Sequence, residues 1–240
     1  MDNNWEYEMK YALELQNISF KFNADAPYFF KNLNARFPAH AIHYIKGKNG
    51  AGKSTLFRII QGITHPYEII EGNIVINGKQ IALSSGMKRI THIKMVPQNF
   101  DRMIANQFSF IQNLQFANMP MQPGFFQRLP AYQPLPAFLD RFGINIHQSV
   151  SLLSGGQRQI LAILMALQQP TDILLLDEPT AALDEKNSQL TMAFLHDLIH
   201  TLPITIIIIS HDRELVDTYA TAGYYELIID PATSNRLLVY

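Results

Sequence analysis

Residues 41–62, AIHYIKGKNGAGKSTLFRIIQG, constrain the fold more than any other stretch of the chain. A short apolar run feeds straight into a glycine-rich loop, and the loop into apolar residues at helical spacing. Strand, glycine loop, helix is the order in which a backbone can wrap an anion. Glycines keep Cβ atoms out of the way, and a helix start offers N–H groups without partners. Residues 47–55 fit the pattern G-x-x-x-x-G-K-[ST] in full. The whole loop, Gly47, Lys48, Asn49, Gly50, Ala51, Gly52, Lys53, Ser54 and Thr55, is therefore a candidate nucleotide cradle. Lys53 would put a point charge between the β- and γ-phosphates, and Ser54 would offer its hydroxyl to Mg²⁺.

A loop of this kind needs a sheet behind it. DILLLDE at 172–178 and ITIIIIS at 204–210 are near-continuous apolar runs, the pattern of strands buried on both faces of a parallel sheet. Residues 11–22 read as a further strand, THIKMV at 91–96 as a short one stopped by Pro97. EGNIVINGKQI at 71–81 has the look of a hairpin pivoting on Asn77-Gly78. YYELIID and RLLVY, joined by PATSN, suggest a closing hairpin.

The same strand ends carry the other chemistry-bearing residues, and in open α/β sheets ligands collect at carboxyl ends of strands. Asp177 ends an apolar run and is placed to hold Mg²⁺; Glu178, one residue on, is placed to act as general base on an attacking water. A DE-P sequence alone would be a solvated acidic turn; beside a phosphate loop it reads as catalytic. Gln98 follows Pro97, where an amide can coordinate the metal and position water, and His211 follows the 204–210 run. Single glutamines and histidines are more often structural, so position is what singles these two out.

SLLSGGQRQI at 151–160 presents a second glycine-rich helix start, without a lysine or a metal carboxylate beside it. Ser154, Gly155 and Gly156 can hold a phosphate by backbone and dipole, with Gln157 and Arg158 adding polar reach, but cannot catalyse alone. Either it serves a nucleotide held by another copy of the chain, or it is a plain glycine-rich helix start.

Composition narrows the setting. The 240 residues are 48% hydrophobic and 16% charged, enough for one sizeable core and not for two independent domains. A net charge of −1 and a pI near 6.7 leave no bulk electrostatic footprint for nucleic acid. Zero cysteines exclude disulfides and thiolate metal sites. The start, MDNNWEYEMK, does not read as a signal peptide, and no apolar run is long enough to span a bilayer, so a soluble chain is expected. Residues 103–139 stand apart, with one charged residue, Arg128, among six phenylalanines and five prolines. They form either an irregular lobe packing its own aromatics or a surface awaiting an apolar partner.

Taken together, GKNGAGKST, VPQNF, LSGGQ, ILLLDEPT, AALD and SHD resemble, in order and rough spacing, the motifs of the ATP-binding-cassette (ABC) ATPases. The resemblance implies an α/β fold: a RecA-like P-loop NTPase core with an antiparallel β subdomain and a helical subdomain. It implies a single ABC ATPase domain over residues 1–240, with core and β lobe in 1–98 and 159–240 and the helical subdomain in about 99–158. It also implies a head-to-tail dimer in which each ATP lies between the phosphate loop of one copy and Ser154–Gly156 and Gln157 of the other. Glu178 would then be the hydrolytic base, Lys53 and His211 would contact the γ-phosphate, and Ser54, Gln98 and Asp177 would hold Mg²⁺. Asp184 would communicate across the dimer. An aromatic at the end of the first strand would stack on adenine; Phe22 matches best, with Phe20 a near neighbour, where the family usually has tyrosine.

Two family arginines are replaced, by Ile160 and Met165, and the helix QILAILMAL is similar to importer-type members. The implied partners are a second ATPase copy, transmembrane permease subunits docked on part of 103–139, and an extracytoplasmic substrate-binding protein. The implied location is cytoplasmic, on the inner face of the membrane, without nucleic acid. A ribosome- or DNA-associated cassette is the first rival, but such relatives typically carry two cassettes or a coiled-coil insertion, and neither is seen here. A non-hydrolysing ATP sensor is the second.

Overall fold

The computed structural model describes residues 11–81, 92–119, 139, 142–212, 217–230 and 235–240. Two sheets organise them. The first is antiparallel, in the order β2-β1-β4-β5, from β1 (Tyr11–Lys21), β2 (Phe30–Pro38), β4 (Ile69–Ile76) and β5 (Lys79–Ile81). Between β4 and β5 the chain turns on Asn77 (φ 48°) and Gly78 (φ 73°), the left-handed pair that a two-residue hairpin demands.

The second sheet runs β10-β9-β3-β8-β7-β6. Its members are β3 (Ile42–Lys46), β6 (Ile93–Val96), β7 (Ile173–Asp177), β8 (Thr205–Ile209), β9 (Tyr224–Ile229) and β10 (Arg236–Val239). Neighbours from β9 to β6 are parallel; only β10 is antiparallel, against β9. The apolar runs are continuous because the two faces of one strand feed two cores. Ile206 and Ile208 pack into one cluster with Leu174 and Leu176. Ile207 and Ile209 pack into the other with Ile173 and Leu175.

Among the described residues, four α-helices flank the sheets: α1 (Lys53–Gln61), α2 (Phe110–Ala117), α3 (Gly155–Ala166) and α4 (Glu185–Thr201). Helix α1 buries Leu56, Phe57, Ile59 and Ile60 and stops at Gly62 in the left-handed conformation. Helices α2 and α3 open with the same device. Ser109 with Gln112, and Ser154 with Gln157, form reciprocal capping boxes that satisfy two N–H groups at each start. The start of α2 is stitched to the strand-like approach to α3 by Phe110 N–H to the Gln148 carbonyl (3.2 Å) and Val150 N–H to Phe108 (3.0 Å).

In the charge-poor segment, Phe110 and Leu114 are fully buried core residues, so packing explains that part. Residues 120–138, with Arg128 and most of the prolines, lie outside the described residues. Ile160 is fully buried and Met165 packs against the same core, so both positions where the resembled ATPases carry arginine face the interior here. No helix among the described residues is long and apolar enough to cross a membrane.

Candidate functional site

Strand order makes the site. Read along the sheet, β3, β8, β7 and β6 are neighbours, and their carboxyl ends run into the phosphate loop, His211, Asp177 with Glu178, and Gln98 respectively. Four segments separated by up to 164 positions of chain, from Gly47 to His211, therefore meet on one edge, where parallel strands deliver their loops.

The phosphate loop is shaped by close backbone approaches. Gly52 caps α1 with φ 108°, and a Cβ there would lie 2.6 Å from the ring of Phe29. A Cβ on Gly47 would lie 2.6 Å from the carbonyl of Leu227 in β9. Neither position tolerates a side chain. Lys53 is buried, and its ammonium donates to the carbonyls of Gly47 (2.7 Å) and Lys48 (3.3 Å). Burial holds its pKa below the ordinary lysine range, against the opposing pull of Glu178 and Asp177.

Ser54 Oγ donates to Asp177 Oδ2 at 3.3 Å, which joins the loop to the end of β7. Burial raises the Asp177 carboxyl and Glu178 adds to the rise, while the Ser54 hydroxyl, Lys53 and His211 oppose it. A hydroxyl and a partly desolvated carboxylate in contact form an oxygen donor pair suited to a hard divalent cation such as Mg²⁺.

Glu178 is gripped from both sides. The Gln98 amide donates to one carboxylate oxygen at 2.9 Å, and His211 Nε2 lies 3.1 Å from the other. Its backbone has φ 52°, rare for a residue with a side chain, and its N–H donates to the Ile209 carbonyl at 2.9 Å. The strained backbone is fixed by β8 and aims the carboxylate between Gln98 and His211. The structure thus joins Gln98 to Glu178 rather than to the Ser54–Asp177 pair. A cavity of about 470 Å³ opens beside Glu178 and His211, lined also by Ser188, Ser210, Asp212 and Tyr219 and by no phosphate-loop residue.

The two candidate aromatics separate cleanly. Phe20 is fully buried, whereas Phe22 is 45% exposed. Phe22 packs edge-on against Phe20 and Phe29, each at 4.9 Å between centroids. Phe29, unremarked in the sequence, supports both Phe22 and Gly52, and the Arg236 guanidinium lies 3.6 Å over its ring. The nearest signal was its place in the aromatic run YFF at 28–30.

Ser154, Gly155 and Gly156 sit elsewhere. Ser154 Oγ accepts from Gln157 N–H at 3.3 Å, Gln157 Oε1 accepts from Ser154 N–H at 3.0 Å, and Gln157 Nε2 donates to the Phe142 carbonyl at 2.8 Å. The neighbours of the two glycines are Leu183 and Asn187, not the phosphate loop. Asp184 caps α4, accepting from the N–H of Asn187. Arg158 reaches Asp101, just beyond Gln98, at 3.5 Å.

A family model described as ABC transporter matches residues 30–181. The methionine import ATP-binding protein MetN of Protochlamydia amoebophila is 32% identical over 215 residues, covering 86% of this chain and 61% of that protein. The phosphonates import ATP-binding protein PhnC 2 of Oceanobacillus iheyensis is 32% identical over 218 residues, covering 87% and 84%. Among solved structures, CbiO1 from Clostridium perfringens, part of the ABC transporter complex CbiONQ, superposes with a TM-score of 0.76. It is 27% identical and covers 96% of this chain and 88% of its own. The matched family model, the import relatives and the shared fold together show that the chain belongs to the ABC transporter family, as its ATPase domain.

Proposed function

We propose that this chain is the ATPase subunit of a transporter, and that two copies close head to tail around two Mg-ATP to drive separate permease subunits. The observation that carries the reading is the division of labour within one chain. Phosphate loop, Asp177, Glu178, Gln98 and His211 share one sheet edge, whereas the Ser154–Gly156 turn packs against Leu183 and Asn187. A second copy supplies the missing wall.

In that arrangement Phe22 stacks on the base, the residue 47–55 backbone cradles the phosphates and Lys53 leaves its loop carbonyls for the phosphate oxygens. Ser54, Asp177 and Gln98 would hold Mg²⁺, and the bound cation would neutralise phosphate charge. Glu178 takes the proton of the attacking water, and His211 steadies the carboxylate and the γ-phosphate. Asp184 stands at the contact between copies. Residues 99–158 act as the helical subdomain beside a core of 1–98 and 159–240, and part of 103–139 docks the permease. The import direction is supported by the names of the import relatives above; an extracytoplasmic binding protein and attachment to the inner membrane face through the permease complete the proposal.

Glu178→Gln tests the core of this reading. It is expected to lower turnover by roughly 10²–10⁴-fold, the usual worth of a general base, while ATP drives a stable dimer visible by sedimentation. Normal turnover, or a variant that stays monomeric with saturating ATP, overturns it. Co-purification of a permease with the chain from detergent-solubilised membranes tests the transporter assignment; a chain that fractionates only with ribosomes or DNA refutes it.

A further inference from the structure

The first turn of α4 carries a contact that the nucleotide chemistry does not call for. Asp184 Oδ1 accepts from the backbone N–H of Asn187 at 2.8 Å, and its Oδ2 accepts from the Asn187 side-chain Nδ2 at 2.8 Å. The side chain so fixed closes the space beside Gly156. A Cβ at Gly156 would sit 3.0 Å from Asn187 Oδ1, 3.1 Å from its Cγ and 3.3 Å from its Cβ. Gly155 meets Leu183 on the same side.

Upstream, the chain from Glu178 to Asp184 is folded into tight turns, Ala181 N–H to Glu178 (3.2 Å) and Leu183 N–H to Thr180 (3.1 Å). From Glu178 to Asn187 the chain is tied by these turn and cap hydrogen bonds, and Asn187 walls off the space that a Cβ on Gly156 would take. Packed contacts of this kind move together or break.

We infer that Asn187 is a positioning residue: it locks the Ser154–Gly156 turn to the Glu178–Asp184 loop of the same chain. The inference rests on the head-to-tail reading above. In such a dimer, Glu178 serves the chain's own nucleotide and Gly156 the partner's. Asn187 is then the bolt through which the state of one site sets the posture of the turn lent to the other. An ordinary role, reinforcing the helix cap, would concern only the stability of α4.

Two variants separate these roles. Asn187→Ala keeps the backbone bond to Asp184 and removes the side-chain bond and the wall behind Gly156. Asn187→Asp keeps the shape but sets a carboxylate against Asp184. In a Glu178→Gln background, both are expected to weaken ATP-driven dimerisation by about tenfold in sedimentation velocity, within the usual range of inter-site coupling. Binding of a fluorescent ATP analogue to the single chain, measured below dimerising concentrations, is expected to be unchanged. In the otherwise natural chain the dependence of rate on ATP should lose its cooperativity.

A lowered melting temperature with dimerisation and cooperativity intact overturns the inference and leaves the cap role. Failure of Glu178→Gln itself to dimerise, with Asn187 in place, overturns the head-to-tail reading and this inference with it.

Discussion

Phe20, in β1, and Phe22, just past its end, touch through their rings, yet their removal should have different consequences. Phe20 has no exposed surface and contacts Phe22, Phe29 and Phe30. Phe20→Ala empties a closed site and should cost about 3–5 kcal/mol of folding stability, the usual range for a buried phenylalanine. Phe22 is 45% exposed and keeps two edge-on ring contacts, so Phe22→Ala should cost only about 1–2 kcal/mol. If the exposed face of Phe22 stacks on adenine, its loss removes about 1–3 kcal/mol of base binding. That is a fall in ATP affinity of roughly five- to 150-fold. Urea unfolding without nucleotide gives the first pair of numbers. Titration with ATP and with inorganic tripolyphosphate gives the second, because only ATP has a base to lose. The expected pattern is an ATP-to-tripolyphosphate preference that collapses in Phe22→Ala, survives in Phe22→Tyr and is unchanged in whatever Phe20→Ala remains folded. A Phe22→Ala chain that keeps its preference would refute the stacking assignment, and a Phe20→Ala chain as stable as Phe22→Ala would refute the burial argument.

Other perturbations read other parts of the site. Lys53→Ala should weaken binding of ATP and tripolyphosphate alike, in the same titrations, since its charge meets phosphate and not base. Burial raises the Asp177 carboxyl, so the folded chain holds that proton more tightly than the unfolded chain and loses stability as pH rises from the ordinary to the raised value. Asp177→Asn should therefore raise the nucleotide-free melting temperature at neutral pH while abolishing Mg²⁺-dependent turnover; a lower melting temperature contradicts the desolvation argument. Arg58 grips the buried Glu68 carboxylate with two bonds, at 2.6 and 2.7 Å. Burial alone would raise the Glu68 pKa, but Arg58 and the His65 N–H hold it below the ordinary range, so this stability is present above the ordinary value and is lost as pH falls through the depressed one. Arg58→Ala should cost about 3 kcal/mol in urea unfolding at neutral pH and flatten the acid side of the stability profile.

What the sequence disclosed, and what it hid, follows from how far each signal travels along the chain. The runs DILLLDE and ITIIIIS announce their strands because both faces of β7 and β8 are buried, which leaves no parity to misread. Strand β2 was hidden because its parity changes midway. Phe30 is buried at an even position, then Leu33, Ala35 and Phe37 at odd ones. The switch falls at Asn32, which adopts φ 53° and inserts an extra residue against β1. Strand β1 switches likewise at Asn17, from Leu13 and Leu15 to Ile18 and Phe20. The two bulges face each other and are tied by Asn34, whose amide donates to Asn17 Oδ1 and to the Asn32 carbonyl. An asparagine that relieves strain in a bulge looks, in sequence, like one that ends a strand.

The same distinction applies to the chemistry. Lys53, Ser54 and Glu178 were legible because strand-loop-helix geometry is local. The grip of Gln98 and His211 on Glu178 was not, because it depends on β8 lying between β3 and β7, an order that no spacing along the chain encodes. Asn187 lay further still from view: its meaning comes from a glycine 31 positions away, where a side chain would crowd it at 3.0 Å. Motifs thus name the candidate groups of the site, while the residues that hold those groups in register are chosen by the topology.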